Sequence, residues 1–259
     1  MKKLDKTEEI EEKVEYGWYL KNVMLGLILI GSGGIGMIIA SIFLGGFLGL
    51  ILISSGFCIA LLFLWPGIGV LMMNLFTDKN MAHPTINLPE IVNLKYPKIL
   101  DIGCGTGRVA ISMAKNLKNG GQVHGIDIFD RSLSNNALGT VRRNARLEDV
   151  DKKTTFQQGS ALDLPFEDNA FDVVNISYVI HEIRDKPRVL REIARVLKPD
   201  GTLYLTELQG AKLSTLLLMG LMSMTCKRKV FWQDLLRENG FKVLSHVEKG
   251  PIVVFNASL

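Results

Sequence analysis

Residues 23–76 of this 259-residue chain contain no Asp, Glu, Lys or Arg. A single helix of that length would be about 80 Å long at roughly 1.5 Å per residue, whereas the hydrocarbon core of a bilayer is about 30 Å thick. Two spans joined by a tight turn fit this thickness, and Gly45-Gly46 is the natural turn. The run therefore predicts a transmembrane hairpin over 23–76, with spans near 23–44 and 47–70.

The charges around the hairpin predict its orientation. Lysines precede the first span and follow the second, and the turn between the spans carries none. Because cytoplasmic loops are enriched in Lys and Arg, both ends should face the cytoplasm. We therefore expect an integral protein of the cytoplasmic membrane with two spans. Residues 1–22 would be a cytoplasmic amphipathic leader, 77–97 a linker or lid, and 98–259 a cytoplasmic domain.

Small residues in the first span predict how the hairpin packs. Ser32, Gly36 and Ala40 are spaced at i, i+4 and i+8, and such a ridge lets a neighbouring helix approach closely. Gly56 and Ala60 offer a matching pair on the second span. We expect this ridge to pack within the hairpin, and a homo-oligomer formed through the hairpin is the alternative.

The composition also limits the partners. A net charge of +4 is small, and no basic run with interleaved aromatic residues gives a reason to expect nucleic acid. Cys58, Cys104 and Cys226 lie far apart and have no metal-ligand spacing. We therefore expect neither a nucleic-acid partner nor a bound metal.

A glycine-rich loop follows the first apolar strand of the domain. The strand ends in Asp101, and Gly103, Gly105 and Gly107 follow before an apolar-periodic helix. A dinucleotide site reads Gly-x-Gly-x-x-Gly and holds pyrophosphate at the helix end, where the acid of this loop would repel it. The next strand ends in Asp127, and a carboxylate there suits two vicinal ribose hydroxyls.

These two motifs resemble those of the class I S-adenosylmethionine-dependent methyltransferases. Residues 158–166 are similar to that family's adenine-side loop, 171–182 to its fourth strand and active-site turn, and 191–201 to the helix and turn before its fifth strand. The resemblance implies a doubly wound α/β fold, Rossmann-like, with seven mostly parallel strands and a terminal antiparallel hairpin. The strands are predicted near 98–102, 122–127, 154–158, 171–176, 202–208, 242–248 and 252–256.

The resemblance implies S-adenosylmethionine as the cofactor. In the family pattern, the backbone at Gly103, Gly105 and Gly107 would approach the methionine and ribose parts of this donor. Asp101 would favour its ammonium group, and Asp127 would bind both ribose hydroxyls.

The adenine would pack on Ile128 and meet the N–H of Ala161. Members of the family commonly have Asp where this chain has Ser160, whose uncharged hydroxyl accepts a hydrogen bond more weakly. Asp163 is the alternative acceptor.

Catalysis of methyl transfer depends mainly on alignment, which can contribute about 7–11 kcal/mol. A phenol, enol or thiol acceptor also needs a base. His181, just after the fourth strand, is the best-placed candidate, with Tyr178 and Glu182 near it. A structural role for His181 is the alternative.

One further uncharged segment, 213–225, precedes Lys227-Arg228-Lys229 and is too short to span a bilayer. We expect it to form a lid of the acceptor pocket that faces the membrane, and a core helix is the alternative. The leading functional hypothesis is thus a membrane-anchored methyltransferase for an apolar or lipid-like acceptor. A methyltransferase for a small soluble thiol or metabolite and a non-catalytic donor-binding membrane module are the alternatives.

Overall fold

The computed structural model of the chain describes residues 13–14, 16, 21–80, 94–129 and 137–259. Within these ranges, the side chains at 73–80, 217–218 and 221–222 are not described. Most of the leader and of the linker therefore lies outside the described residues.

The uncharged run folds as two antiparallel helical arms joined at Gly45. Helix α1 (Lys21–Leu44) forms the first arm. The second arm consists of α2 (Gly46–Ile59), a π-helical turn (Ala60–Leu64) and α3 (Trp65–Asn80). Pro66, the second residue of α3, lies just after the π-helical turn and has no N–H to donate to the regular hydrogen-bond ladder. The turn between the arms lies where the sequence placed it, but the second arm runs beyond residue 70.

The second arm packs through the predicted Gly56 and Ala60, but the first arm packs through glycines other than the predicted residues. A Cβ atom added at Gly34 would lie 2.6 Å from the carbonyl oxygen of Gly56, so the backbones touch there. Gly31 and Gly34 are buried, whereas Ser32 and Gly36 are exposed. The prediction that Ser32, Gly36 and Ala40 form the packing ridge is therefore wrong. Successive residues of an α-helix are rotated by about 100° around its axis, so Ser32 faces away from the side on which Gly31 packs.

Both arms expose most of their apolar surface. The segments Lys21–Leu44 and Gly46–Met72 are long and apolar enough to cross a membrane, by length and composition. In the most apolar 18 residues of each segment, only 17% and 11% of the residues are buried. A core helix of a soluble domain would be mostly buried, and apolar surfaces of this extent normally mark a membrane or protein contact.

The domain after the hairpin is built on one seven-stranded sheet with the order β3-β2-β1-β4-β5-β7-β6. All strand pairs are parallel except those that involve β7, which is antiparallel to β5 and β6. The predicted sheet and its terminal hairpin are confirmed. The strands are β1 (Lys98–Ile102), β2 (Gln122–Asp127), β3 (Thr154–Gln158), β4 (Phe171–Ser177), β5 (Leu197–Leu208), β6 (Lys242–Lys249) and β7 (Ile252–Ser258).

Helices cover both faces of the sheet and bury two apolar clusters. One cluster joins the sheet to Leu190 and Trp232, and the other joins it to Ile111 and Val141. The helices are α4 (Arg108–Asn116), α5 (Ala137–Leu147), α6 (Lys186–Val196), α7 (Leu213–Met219) and α8 (Lys229–Glu238).

The segment after β5 connects the domain to the hairpin. Helix α7 and the 3₁₀ turn that follows it, Gly220–Thr225, pack against α3. A Cβ atom added at Gly220 would lie 3.2 Å from Cγ of Pro66, so the backbone of Gly220 lies against the proline ring. Thr215 and Ser223 are buried, whereas Leu213 and Met224 are exposed. The segment thus has both a packed side and an exposed side.

Candidate active site

The loops after β1, β2, β3 and β4 meet at the carboxyl edge of the sheet, where open α/β sheets bind ligands. The Gly103 N–H donates to the Ile126 carbonyl at 2.7 Å, which joins the first two loops. The Gly159 N–H donates to the Asp127 carbonyl at 2.9 Å, which joins the third. The side chain of Val179, after β4, lies against Gly103. The fold therefore brings the predicted site residues of these four loops together.

The glycine loop leaves room for a ligand at its centre. Gly103 and Gly105 have φ of 72° and 51°, in the left-handed region that favours glycine. A Cβ atom added at Gly103 would collide with Val179, whereas one added at Gly105 would have nothing within 4 Å. Gly107 is the N-cap of α4. The loop thus offers its backbone at Gly105 and the start of a helix to an approaching group.

Asp127 holds this loop with both carboxylate oxygens. Oδ2 accepts the Gly105 N–H at 2.9 Å, and Oδ1 accepts the Phe129 N–H at 2.9 Å. Each carboxylate oxygen has a second lone pair, so two hydroxyl groups can still donate to the same side chain. Ile128, between these residues, is 55% exposed and offers an apolar surface beside the carboxylate. This arrangement fits a ribose with an attached flat base.

Asp101 is buried, and only one of its two carboxylate oxygens accepts a hydrogen bond from a described residue. Its Oδ1 accepts from Nδ2 of Asn175 at 2.6 Å, but its buried Oδ2 makes no hydrogen bond to a described residue. Burial raises the pKa of Asp101 to about 7, the Asn175 hydrogen bond opposes this rise, and the charge of Asp127 adds to it. A buried carboxylate oxygen with an unused lone pair fits an incoming ammonium group.

Ser160 uses part of its hydrogen-bonding capacity within its own loop. Its Oγ accepts the Leu162 N–H at 3.1 Å, and its carbonyl accepts the Asp163 N–H at 3.2 Å. The hydroxyl keeps its second lone pair for another donor. The Asp163 side chain is exposed, and Ala161 is buried beside it.

His181 is paired with a buried acid that was not predicted from the sequence. Its Nδ1 lies 2.9 Å from Oε2 of Glu207, and because a carboxylate only accepts, Nδ1 donates. This hydrogen bond raises the pKa of His181, although partial burial opposes the rise. Glu207 lies in β5 and is fully buried. Tyr178, in the same turn as His181, has φ of 57°, which is unusual for an aromatic residue and typical of functional turns.

The leader contacts the glycine loop as well. The Thr106 hydroxyl donates to the Tyr16 carbonyl at 2.7 Å, and the Arg108 guanidinium lies 5.1 Å from the centre of the Tyr16 ring. Burial raises the pKa of the Tyr16 phenol, and the Glu148 carboxylate raises it further. A residue that precedes the hairpin in the chain is therefore attached to the loop of the candidate site.

Comparison with known proteins identifies the family. Residues 95–247, more than half of the chain, match the model of a family described as methyltransferase domain. The chain belongs to this family. A solved structure of an S-adenosylmethionine-dependent methyltransferase from Aquifex aeolicus has the same fold, with a TM-score of 0.55 at 20% identity, and covers 65% of this chain and 86% of that one. The expected class I fold and its cofactor, S-adenosylmethionine, are confirmed.

Two curated relatives carry quinone names. A 2-phytyl-1,4-naphtoquinone methyltransferase from Trichormus variabilis is 38% identical over 102 residues, which cover 39% of this chain and 42% of the relative. A demethylmenaquinone methyltransferase from Lactobacillus johnsonii is 37% identical over 108 residues, which cover 42% of each chain. The chain thus matches about two fifths of the length of these relatives.

Proposed function

We propose that this protein is a membrane-anchored methyltransferase that transfers a methyl group from S-adenosylmethionine to a lipid-like quinone in its reduced form. The observation that carries the proposal is the packing of the segment after β5 on helix α3 of the apolar hairpin. The quinone names of the relatives supply the acceptor class, and the phytyl chain in one of those names is an apolar tail.

The hairpin supports the membrane part of this proposal. Its arms are long enough to cross a bilayer, and most of their apolar surface is exposed. The contact of Gly220 with Pro66 would hold the domain close to the bilayer. Burial raises the pKa of the Cys226 thiol, and the nearby carboxylate of Glu207 raises it further. The Gly210 N–H donates to the Lys227 carbonyl at 2.9 Å, so the segment that contacts the hairpin also returns to the end of β5, three residues after Glu207.

The donor would be held by the residues of the first three loops. Asp127 would accept from both ribose hydroxyls, and Asp101 would pair with the ammonium group through its unsatisfied oxygen. Gly105 would let the backbone approach the donor, and Ile128 would cover one face of the adenine. Ser160 would accept from the adenine amino group with the lone pair it has left, and Ala161 would border the ring. S-adenosylmethionine supplies an electrophilic methyl group on a sulfonium.

His181 would activate the acceptor. An oxidised quinone ring is electron-poor, whereas a reduced ring that loses a hydroxyl proton gains the electron density needed to attack a methyl group. Nε2 of His181 would take this proton while Glu207 holds Nδ1–H and stabilises the imidazolium. The acceptor would then form a bond to the methyl group, and the carbon–sulfur bond of the donor would break. A positioned general base of this kind contributes about 10²–10⁴-fold, and Tyr178 would border the acceptor.

The test uses the full chain in lipid nanodiscs with S-adenosylmethionine and a chemically reduced 2-phytyl-naphthoquinone. We expect a product that is heavier by one CH₂ unit in mass spectrometry. We also expect the same reaction mixture without reductant to give no product, because the oxidised ring cannot attack. Methylation of small soluble thiols with no turnover of the reduced quinone would favour a soluble acceptor instead. Donor binding without turnover of either would favour a non-catalytic module.

A further inference from the structure

Exposed apolar side chains lie beside the junction between the domain and the hairpin. Met224 is 81% exposed and Leu213 is 70% exposed, and two more apolar side chains at the start of α8 are exposed as well. Basic residues lie between them in the chain. We call this surface the basal patch; it comprises Leu213, Met224, Lys227, Arg228, Val230 and Phe231. Apolar groups rimmed by charge are typical of interaction surfaces.

Backbone hydrogen bonds hold the two halves of the basal patch together. The Gly210 N–H donates to the Lys227 carbonyl at 2.9 Å. The Cys226 N–H donates to the Ser223 carbonyl at 3.2 Å, and Gly210 lies against this same turn. The start of α7 and the basic stretch before α8 are thus neighbours in space.

The basal patch carries positive charge that no described acid neutralises. Lys212 and Lys229 both form ion pairs with Glu248, and these hydrogen bonds lower the pKa of that carboxyl to about 2. Lys227 and Arg228 are exposed, and within the described ranges no carboxylate forms an ion pair with either. Lys227 Nζ lies 5.4 Å from the centre of the Phe231 ring, so both cations lie beside the apolar side chains and neither is paired with a described carboxylate.

We infer that the basal patch binds the headgroup region of anionic lipids and gives the domain a second contact with the membrane. Its position identifies this partner, because Gly220, between Leu213 and Met224 in the chain, packs on Pro66 of the apolar hairpin. The surface is thus continuous with the junction to the helix that would enter the bilayer. Apolar side chains inserted at the interface, with cations at the headgroups, are the usual features of an interfacial membrane contact.

This inference rests on the membrane anchoring in the proposed function and not on the identity of the methyl acceptor. Its consequence is an orientation of the domain. Cations near an anionic surface contribute about 1 kcal/mol each, so Lys227 and Arg228 together correspond to roughly a 30-fold shift toward the docked orientation. The end of β5 that carries Glu207 would then be held toward the bilayer.

The experiment measures hydrogen–deuterium exchange of the full chain in nanodiscs, in the peptides that cover residues 210–231. One set of discs contains phosphatidylcholine alone, and the other also contains phosphatidylglycerol. We expect slower exchange of these peptides in the anionic discs, and loss of this protection in the variant K227Q/R228Q. The control variant K118Q/R191Q removes two exposed cations outside the basal patch and should keep the protection. Raising the salt from 0.1 M to 1 M should abolish the difference, because the Debye length falls from about 10 Å to about 3 Å.

Each other outcome contradicts the inference in a distinct way. Equal exchange in both kinds of disc would mean that anionic lipid does not bind the patch. Protection that survives in K227Q/R228Q but is lost in M224D would mean an apolar contact without headgroup recognition. Protection that appears only when an acidic protein partner is added would assign the surface to that partner. Exchange in the peptides of the hairpin reports its insertion into the bilayer, and quinone turnover reports the methyl acceptor. Failure of the proposed function can therefore be told apart from failure of this inference.

Discussion

The Oε2 atom of Glu207 lies 2.9 Å from Nδ1 of His181, and it joins the end of β5 to the turn after β4. Glu207 is buried, and its hydrogen bond raises the pKa of the imidazole. With Nδ1–H donated to the carboxylate, Nε2 is the ring atom that can accept a proton. The pair therefore has the arrangement of a general base held in one tautomer by an acid.

The first prediction concerns the pH dependence of turnover. A base must be neutral to act, so activity should fall as pH decreases through the pKa of His181, and the raised pKa moves this fall to higher pH. The substitution Glu207→Gln removes the charge that stabilises the imidazolium, so the acidic limb of the profile should shift to lower pH while kcat decreases. Steady-state rates between pH 5.5 and 8.5 measure both effects.

The matched control for that experiment is Glu182→Gln. Glu182 is exposed, and its Oε1 lies 3.8 Å from Nε2 of His181, beyond hydrogen-bond distance. The charge of Glu182 also raises the pKa of His181, but less than Glu207 does, so its loss should shift the acidic limb to lower pH by less than Glu207→Gln. His181→Asn should lose about 10²–10⁴-fold in kcat. Superimposable profiles for Glu207→Gln and the wild type would show that the pair does not act on the acceptor.

The second prediction concerns proton release on donor binding. Asp101, with a pKa of about 7, is largely protonated in the free protein at pH 6. Pairing with the donor ammonium requires the carboxylate, so binding should release a proton, and donor affinity should rise from pH 5.5 to about 7.5. Calorimetry in buffers of different ionisation enthalpy measures this release. A donor affinity independent of pH would remove Asp101 from the ammonium site.

The third prediction separates two roles of Asp127. Asp127→Ala should weaken donor binding by about 1.5–3 kcal/mol, the scale of a hydrogen bond to a charged group, and should also loosen the loop because Gly105 and Phe129 lose their acceptor. Asp127→Asn keeps one acceptor oxygen at nearly the same volume and should lose less stability. Calorimetry gives the affinity, and thermal unfolding gives the stability. An Asn variant that binds the donor as tightly as the wild type would mean that the carboxylate charge does not contact the ribose.

Short sequence patterns predicted the sheet and the cofactor loops because strand ends and glycine spacing act locally. The terminal antiparallel hairpin followed from the family resemblance. Two residues of the site could not be found in this way. Asn175 and Glu207 act through contacts between distant strands, and the only local signal was a polar residue within a buried apolar strand.

The packing of the hairpin was also predicted only in part from the sequence. Its length and the turn at Gly45 followed from hydropathy, which depends on composition. The packing face did not, because Gly31 and Gly34 differ from the predicted Ser32 and Gly36 only in rotation about the helix axis. Many small residues in one span leave several faces available, and the choice depends on the opposite arm.

The fourth prediction concerns topology. In a Cys58→Ser background, Leu44→Cys places a thiol at the end of α1, where the native side chain is exposed. An impermeant maleimide should label it in intact cells from outside. Lys118→Cys, on the surface of the domain, should be labelled only after the membrane is made permeable. Labelling of both positions from the same side would contradict a hairpin that crosses the membrane.

The last prediction concerns the contact between Tyr16 and the glycine loop. The tyrosine ring is half-buried against the domain, and its carbonyl accepts the Thr106 hydroxyl one residue after Gly105. Tyr16→Ala removes the ring contact with Arg108, and cation–π contacts at partly exposed sites contribute about 0.5–1 kcal/mol in addition to apolar burial. We therefore expect faster hydrogen exchange in residues 103–110 and several-fold weaker donor binding. Tyr16→Phe keeps the ring and loses only the long hydrogen bond, 3.4 Å, from the phenol to Glu148, so it should stay close to the wild type. Thr106→Val removes the hydroxyl and should resemble Tyr16→Ala. If Tyr16→Ala leaves both the hydrogen exchange of residues 103–110 and the donor affinity unchanged, the leader contacts the domain without ordering the loop.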